Sequence, residues 1–163
     1  MTKPKSVFTL FQIKRCVLLP NSSQAVLDFF ESIEADPGLY AFNSHAGVFP
    51  IQGKLAEIGS LFGTREKFAG ITLNLKFQTT LVDPSGKFSF VLLNPFGWLR
   101  IGGYFTYEPV DAKQTKLCLS TCLNQPNWWQ RILGLAIFLP PTRWAIGHQL
   151  KQELLFISRQ IKA

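Results

Sequence analysis

Residues 143–162 read RWAIGHQLKQELLFISRQIK and predict one long amphipathic helix. Its apolar side chains recur at spacings of 4, 4, 3 and 4 residues, at Ile146, Leu150, Leu154, Ile157 and Ile161. This spacing places them on one face of an α-helix. A single amphipathic helix has to bury that face against another layer of structure, and the strand-like segments before it indicate a sheet.

The length and composition indicate one globular domain with a large apolar interior. The chain has 163 residues, so we expect a single domain over residues 1–163. Hydrophobic residues make up 47% of it and charged residues 17%, and it contains 15 Phe and 4 Trp. Large aromatic side chains fill protein cores and also line ligand cavities, and the core is the commoner place for any one of them.

The formal net charge of +7 favours acidic partners, either nucleic acid or an anionic membrane surface. The basic residues are scattered, however, and no run of five occurs. The sequence also lacks the motifs through which nucleic-acid-binding modules act. We therefore expect no nucleic-acid binding and interpret most of the charge as a solvated basic surface.

Three cysteines, Cys16, Cys118 and Cys122, give an odd count without a paired framework. Cys118 and Cys122 would share a face of one strand but lie roughly 13 Å apart along it, too far for a disulfide. No CxxC spacing occurs, so a zinc site is not expected. Reduced thiols, together with the polar residues that interrupt the apolar run in residues 1–20, favour a cytoplasmic protein.

The first elements are a strand and a short helix. Residues 6–19 alternate between apolar and polar side chains and predict the strand. The polar residues 21–23 offer an N-cap for a helix that runs to about Glu34, and the turn residues 36–38 (DPG) end it. Residues 39–47 fit either a loop or a second short helical turn.

From residue 48 onward the sequence predicts a meander of antiparallel strands joined by short turns. Residues 71–81 carry the clearest alternation, with one face formed by Ile71, Leu73, Leu75, Phe77 and Leu81. Gly102-Gly103 indicates a bulge or sharp bend in a later strand. The predicted strands are residues 48–58, 60–68, 71–81, 87–93, 98–107 and 115–123. Such a meander with a short first helix and a long last helix predicts an α+β fold.

Residues 124–142, NQPNWWQRILGLAIFLPPT, are the least ordinary part of the chain. Their apolar run is far shorter than the roughly twenty residues of a membrane-spanning helix. In one interpretation, which we favour, they form a helix that covers one mouth of the sheet. In the other, Trp128, Trp129 and Phe138, with Arg131 nearby, contact a membrane interface, where aromatic rings and cations are favoured.

The order of these elements resembles the START-like, helix-grip superfamily (SRPBCC-type), which includes polyketide cyclases, pollen-allergen-like plant proteins and lipid-transfer START domains. The resemblance implies a curved antiparallel sheet of about six to seven strands wrapped around the long C-terminal helix, with a hydrophobic cavity between them. It is carried by the first strand and helix, ITLNLKFQTTLVDPSGKFSFVLL (71–93), WLRIGGYFTYEPV (98–110), TKLCLSTCL (115–123) and the final helix.

The resemblance also implies a function. Members of this superfamily hold lipids, sterols, hormones or polyketides, so it implies binding or transport of a hydrophobic small molecule or lipid. A minority are enzymes, and a polyketide cyclase- or dehydratase-like activity is therefore the alternative. The sequence offers no motif for a cofactor or metal, and we expect neither. It leaves the oligomeric state open.

Most candidate cavity residues lie on the expected inward faces of the sheet and the final helix, and Tyr104 and Tyr107 are included although the sequence does not fix which way they face. Arg143 and Glu153 lie at the margin of the helical apolar face, where a charge orients a polar ligand group or simply stays at the rim. His148 lies on the opposite side of that helix, so we do not expect it to act as a base. The candidates are Leu73, Leu75, Phe77, Phe90, Tyr104, Tyr107, Arg143, Leu150, Glu153 and Leu154.

Overall fold

The computed structural model describes residues 12–42, 45–55, 57–68, 71–83, 86–123, 127–137 and 139–161. Within these ranges one sheet contains β1 (Gln12–Leu19), β2 (Ala41–Phe42), β3 (His45–Gln52), β4 (Leu61–Phe68), β5 (Ile71–Asp83), β6 (Lys87–Asn94), β7 (Ile101–Asp111) and β8 (Gln114–Leu123). Neighbouring strands are antiparallel, in the order β1-β8-β7-β6-β5-β4-β3-β2. The predicted curved antiparallel sheet is confirmed, and the two-residue β2 is added to its seven longer strands.

Three α-helices accompany the sheet in the described part of the chain: α1 (Ser23–Ala35), α2 (Trp128–Ile137) and α3 (Pro140–Gln160). The Ser22 hydroxyl caps α1 as predicted, accepting from the backbone N–H of Ala25 at 3.4 Å. α3 begins three residues before the predicted start, because proline suits the first turn of a helix. The ambiguous residues 39–47 contain the end of a 3₁₀ turn (Pro37–Tyr40), then β2 and the start of β3.

The apolar face of α3 is buried as its spacing predicts. Leu150, Leu154, Ile157 and Ile161 all belong to the core. The strands that α3 mainly contacts are β1 and β8, and a cavity separates the helix from the apolar inner face of β5. Gly147 permits the close approach of α3 to β1, since a Cβ there would lie 2.5 Å from a guanidinium nitrogen of Arg15.

Leu81 of β5 does not share a face with Leu73, Leu75 and Phe77, contrary to the prediction. Leu73, Leu75 and Phe77 line the inner side of β5, as expected. The register between β5 and β6 shifts between Thr79 and Leu81, and Leu81 is more than a third exposed. An extra residue at a bulge reverses the side-chain alternation beyond it, which the simple period of two does not anticipate.

The predicted start of β7 and its bulge are also wrong. Residues 97–99 form a 3₁₀ turn after a cis Asn94–Pro95 peptide bond, and β7 begins only at Ile101. Neither neighbouring ladder shifts register at Gly102-Gly103. Gly103 is instead required by packing, because a Cβ there would lie 2.6 Å from Cζ of Phe90. The ring of Phe90 therefore lies across the backbone of β7.

The expectation of three reduced thiols is wrong. The register of β1 and β8 places Cys16 opposite Cys118, their Cα atoms are 4.1 Å apart, and the two form a disulfide. Cys122 is the buried free cysteine. The bonded residues are 102 positions apart in sequence, so only the pairing of the strands brings them together. Since two of the three cysteines are bonded, reduced thiols no longer support the expectation of a cytoplasmic location.

Candidate functional site

A cavity of about 300 Å³ lies between α3 and the inner face of the sheet. Its walls come from α1, α3 and strands β3 to β8, and most of the lining side chains are apolar. Small-molecule sites usually enclose ~300–1,000 Å³ and combine apolar walls with a few polar groups. This cavity is at the lower end of that range and has that kind of lining.

Aromatic rings form a continuous wall along the sheet side of the cavity. Phe62 and Phe77 stack with centroids 5.3 Å apart and planes 16° apart. Phe90 meets Phe77 edge to face at 5.5 Å, and Phe105 follows at 6.1 Å from Phe90. Phe30 of α1 continues the series, 5.0 Å from Phe105. Edge-to-face and offset contacts of this kind hold aromatic rings in fixed orientations, so the wall presents a defined apolar surface.

A tyrosine and a carboxyl group meet at one side of this apolar space. The Tyr40 hydroxyl, in the turn after α1, donates a hydrogen bond to Oε1 of Glu153 on α3. Both side chains line the cavity. The ring of Tyr40 is held by Phe156 of α3, edge to face at 6.3 Å, and by Phe29 of α1 at 6.5 Å. The hydroxyl is therefore fixed from two helices.

The protonation of Glu153 is set by its surroundings. Burial raises the pKa of Glu153 to about 8; the Tyr40 hydrogen bond lowers it, and the nearby Glu66 carboxylate raises it. Burial and the neighbouring Glu153 likewise raise the pKa of Tyr40 well above its ordinary value. At neutral pH the Glu153 carboxyl is mainly protonated. A protonated carboxyl group keeps one O–H that can donate to another molecule.

Glu66 of β4 adds a second carboxyl group to the same part of the lining. It accepts hydrogen bonds from Thr64 Oγ1 at 3.3 Å and from Gln149 Nε2 at 3.1 Å. Gln149 lies one helical turn before Glu153, so α3 contributes two polar groups to this corner. Among the described lining residues, Glu66 and Glu153 carry the ionisable carboxyl groups, and none is Lys or Arg.

Six of the ten sequence-based candidates line this cavity. Glu153 is the polar one, and its partly buried side chain borders the free space directly. The five apolar ones are Leu73, Leu75, Phe77, Phe90 and Leu150. Their part in binding a ligand stays a prediction.

The other four candidates lie elsewhere. Tyr104 points to the outer face of the sheet, because side chains alternate along β7 and its neighbour Phe105 points inward. On that outer face Gln12 donates a hydrogen bond to the Tyr104 hydroxyl, and the Lys87 ammonium lies 4.9 Å from the centre of the Tyr104 ring. Tyr107 and Leu154 are buried in the core without lining the cavity. Arg143 is exposed on α3, since it precedes the part of the helix that faces the cavity.

Five polar residues of the cavity lining lie outside the ten sequence-based candidates: Tyr40, Thr64, Glu66, Thr121 and Gln149. Gln149 carries a detectable signal, because it lies four residues before Glu153 and beside the apolar face of the helix. Thr64 shares a strand face with Phe62, two residues earlier. Tyr40 lies in the stretch whose structure the sequence leaves ambiguous, so nothing local indicates that its hydroxyl reaches α3.

The helix α2 does not cover the cavity, contrary to the favoured interpretation. None of its described residues lines the space, and Trp128 is strongly exposed. Trp129 stacks on Trp98 of the 3₁₀ turn, with centroids 5.8 Å and planes 20° apart. Phe138, the third predicted membrane-contact residue, lies outside the described residues. Of the helices that the structure describes, none has the length and apolar content needed to cross a bilayer.

Comparison with known proteins shows the fold. No family model and no curated protein matches the chain. Among solved structures, the di-domain aromatase/cyclase BexL is 16% identical, with a TM-score of 0.65 over 92% of this chain, which spans only 46% of BexL. The Zhui aromatase/cyclase from Streptomyces sp. R1128 is 13% identical, with a TM-score of 0.62 over 93% of this chain and 96% of its own. Ara h 8.0201 is 11% identical, with a TM-score of 0.62 over 92% and 96% of the two chains. The chain has the helix-grip fold of these proteins, as the sequence resemblance predicts.

Proposed function

We propose that residues 1–163 form a single domain that binds or transports a hydrophobic small molecule or lipid in the cavity. The observation that carries this proposal is a largely apolar space of about 300 Å³ walled by aromatic rings in mutual contact. Transfer of apolar surface from water into such a space stabilises a complex by about 25 cal/mol per Å². The helix-grip relatives named above support the proposal through their fold alone.

The polar corner adds a requirement on the ligand. At neutral pH a protonated Glu153 has an O–H to donate, while its Oε1 already accepts from Tyr40. An apolar environment makes an unmatched polar group costly, so the partner of choice is a ligand oxygen that accepts a hydrogen bond. The proposed ligand is therefore an apolar molecule with a carbonyl, hydroxyl or ether oxygen near one end.

Native mass spectrometry of the gently purified chain, with solvent extraction of what it carries, tests the proposal. We expect an apolar molecule bound to the unmodified chain and absent from Ile146→Trp, which adds an indole to the cavity wall. Val110→Trp is the matched control, because Val110 is exposed at the far end of β7. An unmodified chain that carries nothing and takes up no added apolar molecule would contradict the proposal.

A cyclase- or dehydratase-like enzyme is the second candidate function. Burial brings the pKa of Glu153 to about 8, close to neutral pH, where a group is best suited to act as a general acid. The side chain borders the cavity, so it can reach a carbonyl or hydroxyl oxygen of a bound substrate. Tyr40 would hold the carboxyl group in position through its hydrogen bond.

The two functions differ in turnover. A suitable probe is the β-hydroxy ketone formed from benzaldehyde and acetone, whose loss of water gives a conjugated enone that is followed by absorbance. Enzymatic dehydration predicts acceleration by the unmodified chain and little by Glu153→Gln, which keeps the shape but has no acidic proton. Binding of the probe without acceleration favours the carrier over the enzyme.

A further inference from the structure

The outer face of α2 is apolar and directed towards solvent. Trp128, Ile132 and Leu135 follow at spacings of four and three residues, which places them on one side of the helix. Their side chains are 74%, 58% and 58% exposed. Arg131 shares that side and is exposed as well. We call these four residues the α2 outer face.

The other side of α2 holds this orientation in place. The buried Gln130 donates a hydrogen bond to the carbonyl of Trp98. Gln130 and Asn127 also cap the helix reciprocally: the Asn127 backbone N–H donates to Gln130 Oε1 at 2.9 Å, and the Gln130 backbone N–H donates to Asn127 Oδ1 at 3.0 Å. Trp129 stacks on Trp98 from the same side. The apolar side is therefore fixed outwards by specific contacts rather than left exposed by a loose helix.

The charge around α2 matches an anionic surface. From residue 124 to residue 152, a range that includes α2 and the first part of α3, the chain contains Arg131, Arg143 and Lys151 and no Asp or Glu. Arg131 lies within the outer face, and Arg143 is exposed three residues into α3. A second copy of the chain is disfavoured as the occupant, because a two-fold interface through this face brings Arg131 close to its own equivalent. An anionic lipid surface attracts the same cations.

We propose that the α2 outer face docks the protein on an anionic lipid bilayer. The helix of ten residues lies in the plane of the interface, with the indole of Trp128 and the side chains of Ile132 and Leu135 among the acyl chains. Arg131 meets the lipid phosphates. Tryptophan is the residue best suited to this depth, because its ring is apolar and its N–H is polar.

The inner side of α2, opposite the docking face, contacts Trp98 near the cavity wall. Phe96 lines the cavity and is more than a third exposed. Trp98, two residues later, accepts the hydrogen bond from Gln130 of α2. A molecule that leaves the bilayer at α2 has a short path to the cavity. This link to ligand exchange rests on the proposed function, whereas the docking itself does not.

Vesicle flotation at physiological salt tests the docking. The probes are vesicles of phosphatidylcholine alone and vesicles of phosphatidylcholine with an equal part of phosphatidylserine. We expect the protein to float with the anionic vesicles, to float poorly with the neutral ones, and to be released by high salt. Ile132→Asp should weaken partition more than about tenfold, since it loses the burial of one large aliphatic side chain and adds a negative charge.

Ile58→Asp is the matched control, because Ile58 is 62% exposed and lies in the β3–β4 loop. It should float like the unmodified chain, and both variants should keep the unmodified thermal midpoint. The absence of flotation with anionic vesicles, or equal losses for the two variants, overturns the proposal. A dimer in light scattering that Ile132→Asp separates also overturns it, because a second copy then occupies the face. Since flotation requires no cavity ligand, its failure is distinct from a failure of the proposed function.

Discussion

The hydroxyl of Tyr40 donates a hydrogen bond to the carboxyl group of Glu153 across a separation of 113 residues. This contact ties the turn after α1 to the middle of α3 and lies in the lining of an otherwise apolar cavity. The cavity therefore has a defined polar corner in addition to its aromatic wall. Ligand orientation, protonation and stability are all expected to depend on this pair.

Replacement of Glu153 by Gln should change how stability depends on pH. The pKa of Glu153 is about 8 in the folded chain, against an ordinary value of 4.5. Between these values the folded state binds the extra proton, so the free energy of unfolding contributed by this group falls as pH rises. We expect unfolding by urea at pH values across this window to give a steeper decline for the unmodified chain than for Glu153→Gln. Parallel curves for the two proteins would contradict the assigned pKa.

Replacement of Tyr40 by Phe should raise the pKa of Glu153 further. The hydrogen bond from Tyr40 lowers the pKa of Glu153, and the variant removes it while keeping the ring. The carboxyl carbon shift of Glu153, followed by NMR across pH, reports the change. The free energy of unfolding should fall by about 1 kcal/mol. Tyr107→Phe is the control, because Tyr107 is also buried but does not line the cavity, and it should leave the Glu153 titration unchanged.

Replacement of Gly103 by Ala should destabilise the protein and displace Phe90. The new Cβ would lie 2.6 Å from Phe90 Cζ and 2.9 Å from the carbonyl oxygen of Ser120, and the latter is backbone. Overpacking of this kind costs about 1–3 kcal/mol. Thermal unfolding measures the loss, with Gly97→Ala as the control, whose nearest contact would be an ordinary 3.4 Å. Equal midpoints for both variants would mean that Phe90 does not need the space over Gly103.

The disulfide between Cys16 and Cys118 should leave one titratable thiol in the denatured, unreduced chain. Cys122 is that thiol, so Cys122→Ala should show none. Reduction should lower the free energy of unfolding by about 2–4 kcal/mol, because the bond closes a long loop in the unfolded chain. Three thiols in the unreduced protein, or no change in stability on reduction, would argue that the pair is not bonded.

Periodic patterns predict the elements of this fold well and their connections less well. The spacing of Ile146 through Ile161 identifies α3, and the alternation from Ile71 identifies β5. The bulge that places Leu81 on the outer face and the Cys16–Cys118 bond both depend on the register between strands. A local pattern shows which face of a strand is buried, but it does not identify the opposite residue on a strand that is distant in sequence.

The cavity is predictable on its apolar side and only partly on its polar side. Leu73, Leu75 and Phe77 follow from the alternation of β5, and Glu153 from its place at the margin of the apolar helix face. The turn that carries Tyr40 has no regular pattern, so its approach to Glu153 follows only from the packed tertiary structure. The prediction that Tyr104 lines the cavity is wrong, because the sequence of β7 does not show which of its two faces points inward.

The most direct test of the account is calorimetric binding of two ligands of matched shape, methyl naphthyl ketone and ethylnaphthalene, to the unmodified chain and to Glu153→Leu. Both ligands should bind the unmodified chain, since both suit an apolar cavity. Loss of the Glu153 O–H should weaken the ketone about three- to tenfold, the value of one net hydrogen bond, and leave the hydrocarbon as tight as before or tighter. Failure of either ligand to bind, or equal weakening of both by Glu153→Leu, would contradict a ligand cavity with its polar end at Glu153.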